Sequence, residues 1–373
     1  MIKKICKGCG EVLQSEDKNK KAYIPFEKLL LGDNLICRQC FRLKNYGEVP
    51  KELSDKQEYV RIVKESIKKA DYILAIFDAT DIEASMQHEI LDLLESKESI
   101  VVLNKIDLLE KYYSLVEISA WFRRKIIENN IFPQSFCFVS SKKNEGIKGI
   151  LHKIKSLSSK KELKICVIGA SNVGKSSVLN RLIGSDRLTT SKYSGTTKKN
   201  ISTTIKYKDI KITFIDTPGI VPENRLTELV DPAKAVLLMP NKKLKETNLT
   251  INENQILFFD SLLYLKVKNK AKIRVLCSKN VQIHVSNEKK IKTLLEGDFF
   301  DFFTKEERKK YLEQEFVTES ISLTKIDSLD IQGLGFLEAD ARLELDITYP
   351  KKLGICVRES MKFANKRQDD ILW

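Results

Sequence analysis

Residues 169–176 read GASNVGKS and come directly after the apolar run ICVI at 165–168. The two glycines followed by Lys175 and Ser176 form the pattern in which a backbone loop wraps around phosphate groups, while the next helix points its free N–H groups at them. A strand before this loop and a helix after it therefore predict a nucleotide-binding α/β fold. We expect Lys175 to reach the β- and γ-phosphates and Ser176 to offer its hydroxyl to Mg²⁺.

A motif suited to reading the base lies before the phosphate loop. NKID at 104–107 follows the apolar run IVVL at 100–103, and SSK at 140–142 follows the next apolar run. The Asp107 carboxylate can accept hydrogen bonds from the ring N–H and the amine of guanine, a pair that adenine does not offer. In the usual GTP-binding domain the phosphate loop comes first. Because every part is present in the other order, the sequence predicts a circularly permuted P-loop GTPase domain, which is feasible since domain termini often lie close together.

Two further segments complete the predicted site. DTPG at 216–219 ends another apolar run, where Asp216 can hold Mg²⁺ through water and the Gly219 N–H can sense the γ-phosphate. Between the two loops, Thr197 is predicted to close over the metal, with Thr196 as the alternative. The predicted GTP-binding residues are Asn104, Lys105, Asp107, Ser140, Ser141, Lys142, Gly169, Ser171, Asn172, Val173, Gly174, Lys175, Ser176, Ser177, Asp216 and Gly219, with Ser176, Thr197 and Asp216 for Mg²⁺.

The catalytic apparatus departs from that of many GTPases at Ile220, where a glutamine often orients the attacking water. A hydrophobic side chain cannot do this. Asn172, inside the phosphate loop, resembles the asparagine that helps hold an activating K⁺ ion in permissive GTPases. The alternative is that Asn172 only stabilises the turn. The predicted catalytic residues are Lys175, Asn172, Thr197 and Gly219.

Between about 60 and 220, short apolar runs alternate with amphipathic stretches of helical length, as in a doubly wound α/β sheet. Strands are predicted at 72–77, 100–103, 136–139, 165–168 and 212–215, and helices near 84–96, 115–129, 147–158 and 175–183. Each motif follows a strand, and ligands of such sheets bind beyond the carboxyl ends of the strands.

The amino-terminal region contains two Cys-x-x-Cys pairs, Cys6 with Cys9 and Cys37 with Cys40. Four thiolates at two turns can complete a tetrahedral Zn²⁺ site. A redox pair is the alternative, but a reducing compartment favours zinc. Arg38 and Arg42 beside the second pair leave open whether this zinc finger contacts RNA or is only structural.

The permuted motif order, Ile220 and the four-cysteine start resemble the YqeH family of circularly permuted bacterial GTPases, and the resemblance covers nearly the whole chain. It includes CRQCFRL at 37–43, INENQILFF at 251–259 and GLGF at 333–336. The departures are Ser194, where a proline is common, and Phe336, where tryptophan is frequent. The resemblance implies a role in assembly of the small ribosomal subunit and weak intrinsic GTP hydrolysis.

The carboxy-terminal region is predicted to be a strand-rich α+β module. Residues 265–275 alternate apolar and basic residues, so as one strand they would bury one face and present cations on the other. From Lys266 to Lys292 there are nine Lys or Arg residues and one acid, Glu288. This concentration favours RNA phosphate as a ligand, and a solvated face is the alternative. The predicted RNA-binding residues are Lys266, Lys268, Lys270, Lys272 and Arg274.

The composition of the whole chain indicates the kind of partner and the cellular location that we expect. The 373 residues carry a formal charge of +14 and a pI near 9.2, which favours ribosomal RNA or a small-subunit precursor as the partner. No apolar run is long enough to span a bilayer and the start lacks a signal-peptide pattern, so we predict a cytoplasmic protein without stable membrane association. The predicted domains are 1–55, 60–224 and 225–373. The rival functional hypothesis is an RNA-binding scaffold in which guanine nucleotide is only structural.

Overall fold

A computed structural model of the chain describes residues 56–184, 201–239 and 244–364, together with 4–6, 12–16, 22–26, 35 and 37. It forms two compact units, each of which is assembled from separate parts of the chain. The first contains Met1–Asp78, Ser85–Asn104 and Asn129–Val221, and the second contains Ala79–Ala84, Lys105–Glu128 and Pro222–Trp373. The domain limits that we expect from the sequence stay predictions.

The first unit is built on a six-stranded sheet with the order β3-β2-β1-β4-β6-β5. All neighbouring strands are parallel except β5, which pairs antiparallel with β6 at one edge. The inner strands are near-continuous apolar runs because the sheet buries both of their faces. The strands are β1 Tyr72–Asp78, β2 Ser99–Asn104, β3 Ser135–Phe138, β4 Glu162–Ile168, β5 Ile201–Tyr207 and β6 Ile210–Asp216.

Helices connect these strands at most of the predicted places. They are α1 Lys56–Lys68, α2 Ile82–Ser85, α3 His88–Glu95, α4 Leu115–Glu128, α5 Ile147–Ser156 and α6 Lys175–Gly184. The single helix predicted near 84–96 is wrong in one respect, because the chain is extended at Gln87, which precedes α3. The edge strand β5 has no predicted counterpart, since its polar residues interrupt the apolar signal.

The strand order is consistent with the predicted permutation. The strand that carries the phosphate loop, β4, is fourth in the chain yet lies in the middle of the sheet, between β1 and β6. Strands β1 to β3 form one half of the sheet, and β4 to β6 form the other. A chain that began at β4 and continued from β6 into β1 could form the same sheet. The permuted order is therefore compatible with all of the strand pairings.

The second unit contains two five-stranded sheets, β16-β13-β14-β10-β7 and β11-β8-β9-β15-β12. Leu257, Leu265, Val275, Leu337 and Leu345, drawn from both sheets, are fully buried in one shared apolar core, so the sheets pack face to face. The strands are β7 Leu244–Ile251, β8 Gln255–Phe259, β9 Leu263–Val267, β10 Ala271–Ser278, β11 Ile283–Asn287, β12 Phe316–Leu323, β13 Asp327–Ile331, β14 Gly335–Ala339, β15 Leu343–Pro350 and β16 Ile355–Glu359. Besides α4 and most of α2, which also belong to this unit, its helices are α7 Pro232–Leu238, α8 Ile291–Glu296 and α9 Lys305–Leu312.

The prediction of one continuous basic strand over 265–275 is wrong. Strand β9 ends at Val267 and β10 begins at Ala271, and the two strands lie in different sheets. The chain turns at Asn269, whose side chain donates to Arg342 O at 2.8 Å and accepts from Glu344 N at 2.7 Å. Such bonds between side chain and backbone compete with the strand ladder. Buried and outward residues alternate within each of the two strands, as predicted, but the cations at 266–274 do not form one row.

Candidate functional site

The phosphate loop has a backbone that its sequence explains. Gly169 and Gly174 have φ angles of +150° and +92°, and a Cβ there would lie 2.4 Å from Ile76 O and 2.3 Å from Asn104 Nδ2, respectively. Both positions therefore require glycine. Asn172 has a φ of +63°, a left-handed conformation that asparagine tolerates better than most residues. This geometry accounts for Asn172 as a turn residue and leaves its predicted role beside K⁺ a proposal.

Lys175 begins α6 and folds back across the loop. Its side chain is buried, and its Nζ donates to Gly169 O at 3.0 Å and to Ala170 O at 2.9 Å. Gly219 lies against the same ammonium group, because a Cβ on this glycine would be 2.5 Å from Lys175 Nζ. The phosphate loop and the DTPG segment thus meet at one cation, where a terminal phosphate would contact both.

Ile220 joins the DTPG segment to the phosphate loop through the backbone. Ser171 N donates to Ile220 O at 2.7 Å, and Ile220 N donates to Gly169 O at 3.3 Å. The Ile220 side chain is buried. It therefore packs into the first unit and cannot position water, as its apolar character already implies.

Asp216, at the end of β6, has the properties of a cation ligand. Its Oδ1 is fully buried and has no hydrogen-bond partner among the described residues. Burial raises the pKa of Asp216 to about 6, although the nearby Lys175 lowers it. A buried carboxylate oxygen that has no partner among the described residues fits the oxygen ligands that Mg²⁺ prefers.

We expect this pKa to give a pH signature in the nucleotide-free protein. The folded-state pKa lies above the ordinary value of 3.8, so ionised Asp216 destabilises the fold above pH 6, and this penalty disappears as the pH falls toward 4. Asp216→Asn should therefore raise the free energy of unfolding by about 1–3 kcal/mol at pH 7.5 and leave it nearly unchanged at pH 4. Urea unfolding of the unaltered protein and of the variant at the two pH values measures this change in the free energy of unfolding. An equal effect at both pH values would contradict the assignment, and Asp92→Asn, at an exposed aspartate on α3, is the control.

The base-reading motif begins with a structural residue. Asn104 is fully buried; its Nδ2 donates to Val173 O at 2.9 Å, and its Oδ1 accepts from Ser141 N at 3.0 Å. It therefore bridges the phosphate loop and the SSK segment. Lys105 has a φ of +66°, and Asp107 lies in the 3₁₀ turn Ile106–Leu108 directly after β2. Asp107 is partly exposed.

Arg181 contacts the segment at 140–142, although it belongs to none of the motifs. Its Nε donates to Ser141 O at 2.9 Å, and a terminal nitrogen donates to Lys142 O at 3.3 Å. It thereby ties α6 to the loop that follows β3. The side chain lies outside every motif, and no sequence pattern would have identified it.

The structure brings together most of the predicted nucleotide residues of the first unit at the carboxyl ends of its strands. Asn104, Ser141, Val173, Lys175 and Gly219 make the contacts given above, and Ser140 is fully buried nearby in the same loop as Ser141. Ser177 is exposed on the first turn of α6. Thr196 and Thr197 lie outside the described residues.

At the amino terminus, two of the four predicted zinc ligands lie together. Cys6 and Cys37 are buried in the same small cluster, and Cys37 N donates to the Cys6 sulfur at 3.2 Å. Cys9 and Cys40 are outside the described residues. Within the described part of the chain, no group of three or more His, Cys, Asp or Glu side chains is arranged to hold a metal, and no helix is both long and apolar enough to cross a membrane.

Comparison with known protein families agrees with the geometry. The family model described as "50S ribosome-binding GTPase" matches residues 164–280, a stretch that begins at the strand of the phosphate loop. The β1 and β2 strands and the base-reading motif precede this match. The chain is therefore a P-loop GTPase in which the guanine motif comes before the phosphate loop.

The predicted resemblance to the YqeH family is confirmed. The chain is 28% identical to YqeH of Bacillus subtilis (strain 168) over 97% of this chain and 100% of that protein. It is also 31% identical to GTPase Der of Buchnera aphidicola subsp. Schizaphis graminum, over 66% of this chain and 58% of that protein. For GTPase Der of Nautilia profundicola the identity is 29%, over 53% of this chain and 49% of that protein. The chain thus spans about half the length of these Der relatives and the full length of YqeH.

Among solved structures, the crystal structure of YjeQ from Thermotoga maritima aligns with 46% of this chain and 58% of that chain at 19% identity, with a TM-score of 0.27. At this score the alignment carries no weight for the fold.

Proposed function

We propose that the protein is a GTP-hydrolysing switch that assists assembly of the small ribosomal subunit by binding ribosomal RNA or precursor particles in a nucleotide-dependent way. The observation that carries this proposal is the course of the chain after the DTPG segment. It leaves the first unit at Val221 and enters the second at Pro222. A movement of Gly219 with the γ-phosphate would thus act on the chain at the start of the second unit.

The segment that receives this movement is firmly held inside the second unit. Leu226 N donates to Gln332 O at 2.8 Å, and Gly354 N donates to Asn224 O at 2.7 Å. The buried Arg225 guanidinium lies 2.7 Å from a carboxylate oxygen of Asp81. Because this segment is held by backbone bonds and a buried ion pair, it would transmit a displacement rather than absorb it.

Two observations support a ribosomal partner, namely the net charge of the chain and its similarity to YqeH. A net charge of +14 favours a polyanion. The resemblance to YqeH implies the small subunit, whereas the matching family model is described as binding the 50S ribosome. We favour the small subunit because the likeness to YqeH covers 97% of the chain, while that family model matches residues 164–280.

We also propose a zinc finger formed by Cys6, Cys9, Cys37 and Cys40 within residues 1–55. The hydrogen bond from a backbone N–H to the Cys6 sulfur supports it, since such a bond favours the thiolate that binds metal. We expect the metal to contribute to folding, because among the described residues the apolar cluster around Cys6 has only six members. Elemental analysis is expected to find one zinc per chain, and its absence after purification without chelator would refute the site.

The second candidate function is an RNA-binding scaffold with structural nucleotide, which the apolar Ile220 favours. The rate of GTP hydrolysis distinguishes the switch from the scaffold. A switch in which Asn172 helps hold K⁺ should hydrolyse GTP faster in potassium than in sodium, and Asn172→Ala should abolish the difference. Equal turnover in both salts would remove the potassium role, and no turnover in either would favour the scaffold.

The five predicted RNA-binding cations differ in their surroundings. Lys266 pairs with Glu288 at 2.8 Å, Lys268 with Asp346 at 2.5 Å, and Arg274 with Glu246 at 2.8 Å. Lys270 and Lys272 are exposed and form no ion pair within the described chain. We propose that RNA is bound mainly by the cations that no acid already neutralises.

A further inference from the structure

A cavity of about 500 Å³ opens on the outer face of the sheet that contains β7, β10 and β14. Its walls come from these three strands, from the loop before β13 and from the residues after β16. All of them belong to the second unit. The volume is within the range of small-molecule sites. It is lined by Asn248, Leu249, Thr250, Lys272, Ile273, Arg274, Lys325, Glu338, Ala339, Asp340, Ser360, Lys362 and Phe363.

Three lysines at this cavity carry charges that are available to a ligand. Lys272, Lys325 and Lys362 are exposed, and none of them forms an ion pair with a residue in the ranges that the structure describes. They come from three separate parts of the sequence and converge only in the folded unit. Since exposed cations without acidic partners attract phosphate most strongly, the cavity mouth is a suitable anion site.

Two acids line the cavity, the buried Glu338 and the exposed Asp340, and the Asp340 carboxylate accepts from Lys272 N at 3.2 Å. Glu338 is buried; it accepts from Tyr113 Oη at 2.8 Å and from Ser360 Oγ at 2.5 Å, and it pairs with Arg274 at 3.2 Å. Burial next to Glu338 raises the pKa of Tyr113, so the phenol stays protonated and continues to donate. The Glu338 charge is thus offset within the wall by Arg274, and the three lysines outnumber the remaining acid, Asp340, at the mouth.

The cavity also offers an aromatic surface and uncharged polar groups. Phe363 is half-buried, with Lys362 Nζ 5.9 Å from the centre of its ring. Asn248 and Thr250 are exposed on β7, the edge strand, and can donate and accept hydrogen bonds. Proteins bind unpaired nucleotides in this way, with cations on the phosphate and an aromatic ring under the base.

We propose that this cavity binds one unpaired nucleotide of an RNA strand, with its phosphates at Lys272, Lys325 and Lys362 and its base against Phe363. The proposal rests on the proposed function, because it supplies the contact through which the second unit would hold RNA. It replaces the five predicted cations at 266–274, except Lys272, by lysines that lie far apart in the sequence as the main RNA contact.

The test uses the full chain and a labelled 12-nucleotide single-stranded RNA, with binding followed by fluorescence anisotropy at several salt concentrations. Lys325→Gln with Lys362→Gln should weaken binding about tenfold and flatten the salt slope by roughly 1.4, since each single-strand phosphate contact contributes about 0.7. The matched control, Lys289→Gln with Lys292→Gln, removes the same charge from exposed lysines outside the cavity and should change affinity less than about twofold. Phe363→Leu keeps an apolar side chain and should cost about tenfold through lost stacking.

The outcomes separate the cavity from the wider function. If the cavity variant and the control variant lost the same amount of RNA affinity, the cavity would not be the RNA site, although the protein would still bind RNA. If the unaltered protein bound no RNA, the RNA part of the proposed function would fail instead. Displacement of the RNA by free uridine monophosphate at micromolar concentration would assign the cavity to a free nucleotide and overturn the RNA assignment. Thermal melting and GTP hydrolysis should be unchanged in all three variants.

Discussion

Replacement of Asp107 by Asn is expected to lower GTP affinity by roughly 10³-fold or more, because guanine's two N–H donors would lose their shared acceptor. The amide that replaces the carboxylate also presents a donor toward the amine of the base. Xanthine has a carbonyl where guanine has the amine, so the same variant should gain affinity for xanthosine triphosphate. Equilibrium binding of fluorescent analogues of the two nucleotides measures the exchange.

The control for this exchange is Asp92→Asn, which removes the same charge from an exposed position on α3. It should leave both affinities unchanged. If Asp107→Asn bound GTP as tightly as the unaltered chain and gained nothing for xanthosine triphosphate, the assignment of the base pocket to NKID at 104–107 would be wrong.

Lys175→Ala is expected to reduce GTP turnover by about 10²- to 10³-fold, the usual cost of removing one preorganised group that stabilises transition-state charge. In the structure the ammonium group is held by Gly169 O and Ala170 O, and it lies against Gly219. The variant would thus also loosen the contact between the phosphate loop and the DTPG segment. Single-turnover hydrolysis with saturating nucleotide separates the loss in chemistry from a loss in binding.

Lys148→Ala, at an exposed lysine on α5, is the matched control and should retain full turnover. A Lys175→Ala variant with turnover within about threefold of the unaltered chain would show that the observed hydrolysis arises elsewhere, since loss of such a group costs far more.

The sequence was sufficient to predict the first unit in most respects. Its parallel strands are short buried apolar runs, and each motif follows one of them, so strand and loop could be predicted together, while the ligand roles stay predictions. The strand β5 was missed because an edge strand needs only one apolar face. The bridging role of Asn104 could not be predicted, because it depends on the approach of Val173 and Ser141, residues far away in the chain.

The second unit was less predictable for a physical reason. Alternation of apolar and basic residues indicates an extended chain, but it does not specify the partner strand or the sheet. The sequence pattern therefore did not predict the turn at Asn269, because the residues on both sides of it alternate as in one strand. The convergence of Lys272, Lys325 and Lys362 likewise depends on strand pairings between distant segments, which a single sequence does not reveal.

Nucleotide-dependent binding to ribosomal particles tests the central claim most directly. The affinity of the full chain for small-subunit precursors, and separately for large subunits, would be measured by sedimentation with a non-hydrolysable GTP analogue and with GDP. We predict binding to the small-subunit particles that is about tenfold tighter with the GTP analogue, within the usual range of coupling between two sites. Equal affinity in the two nucleotide states, or a preference for the large subunit, would contradict it.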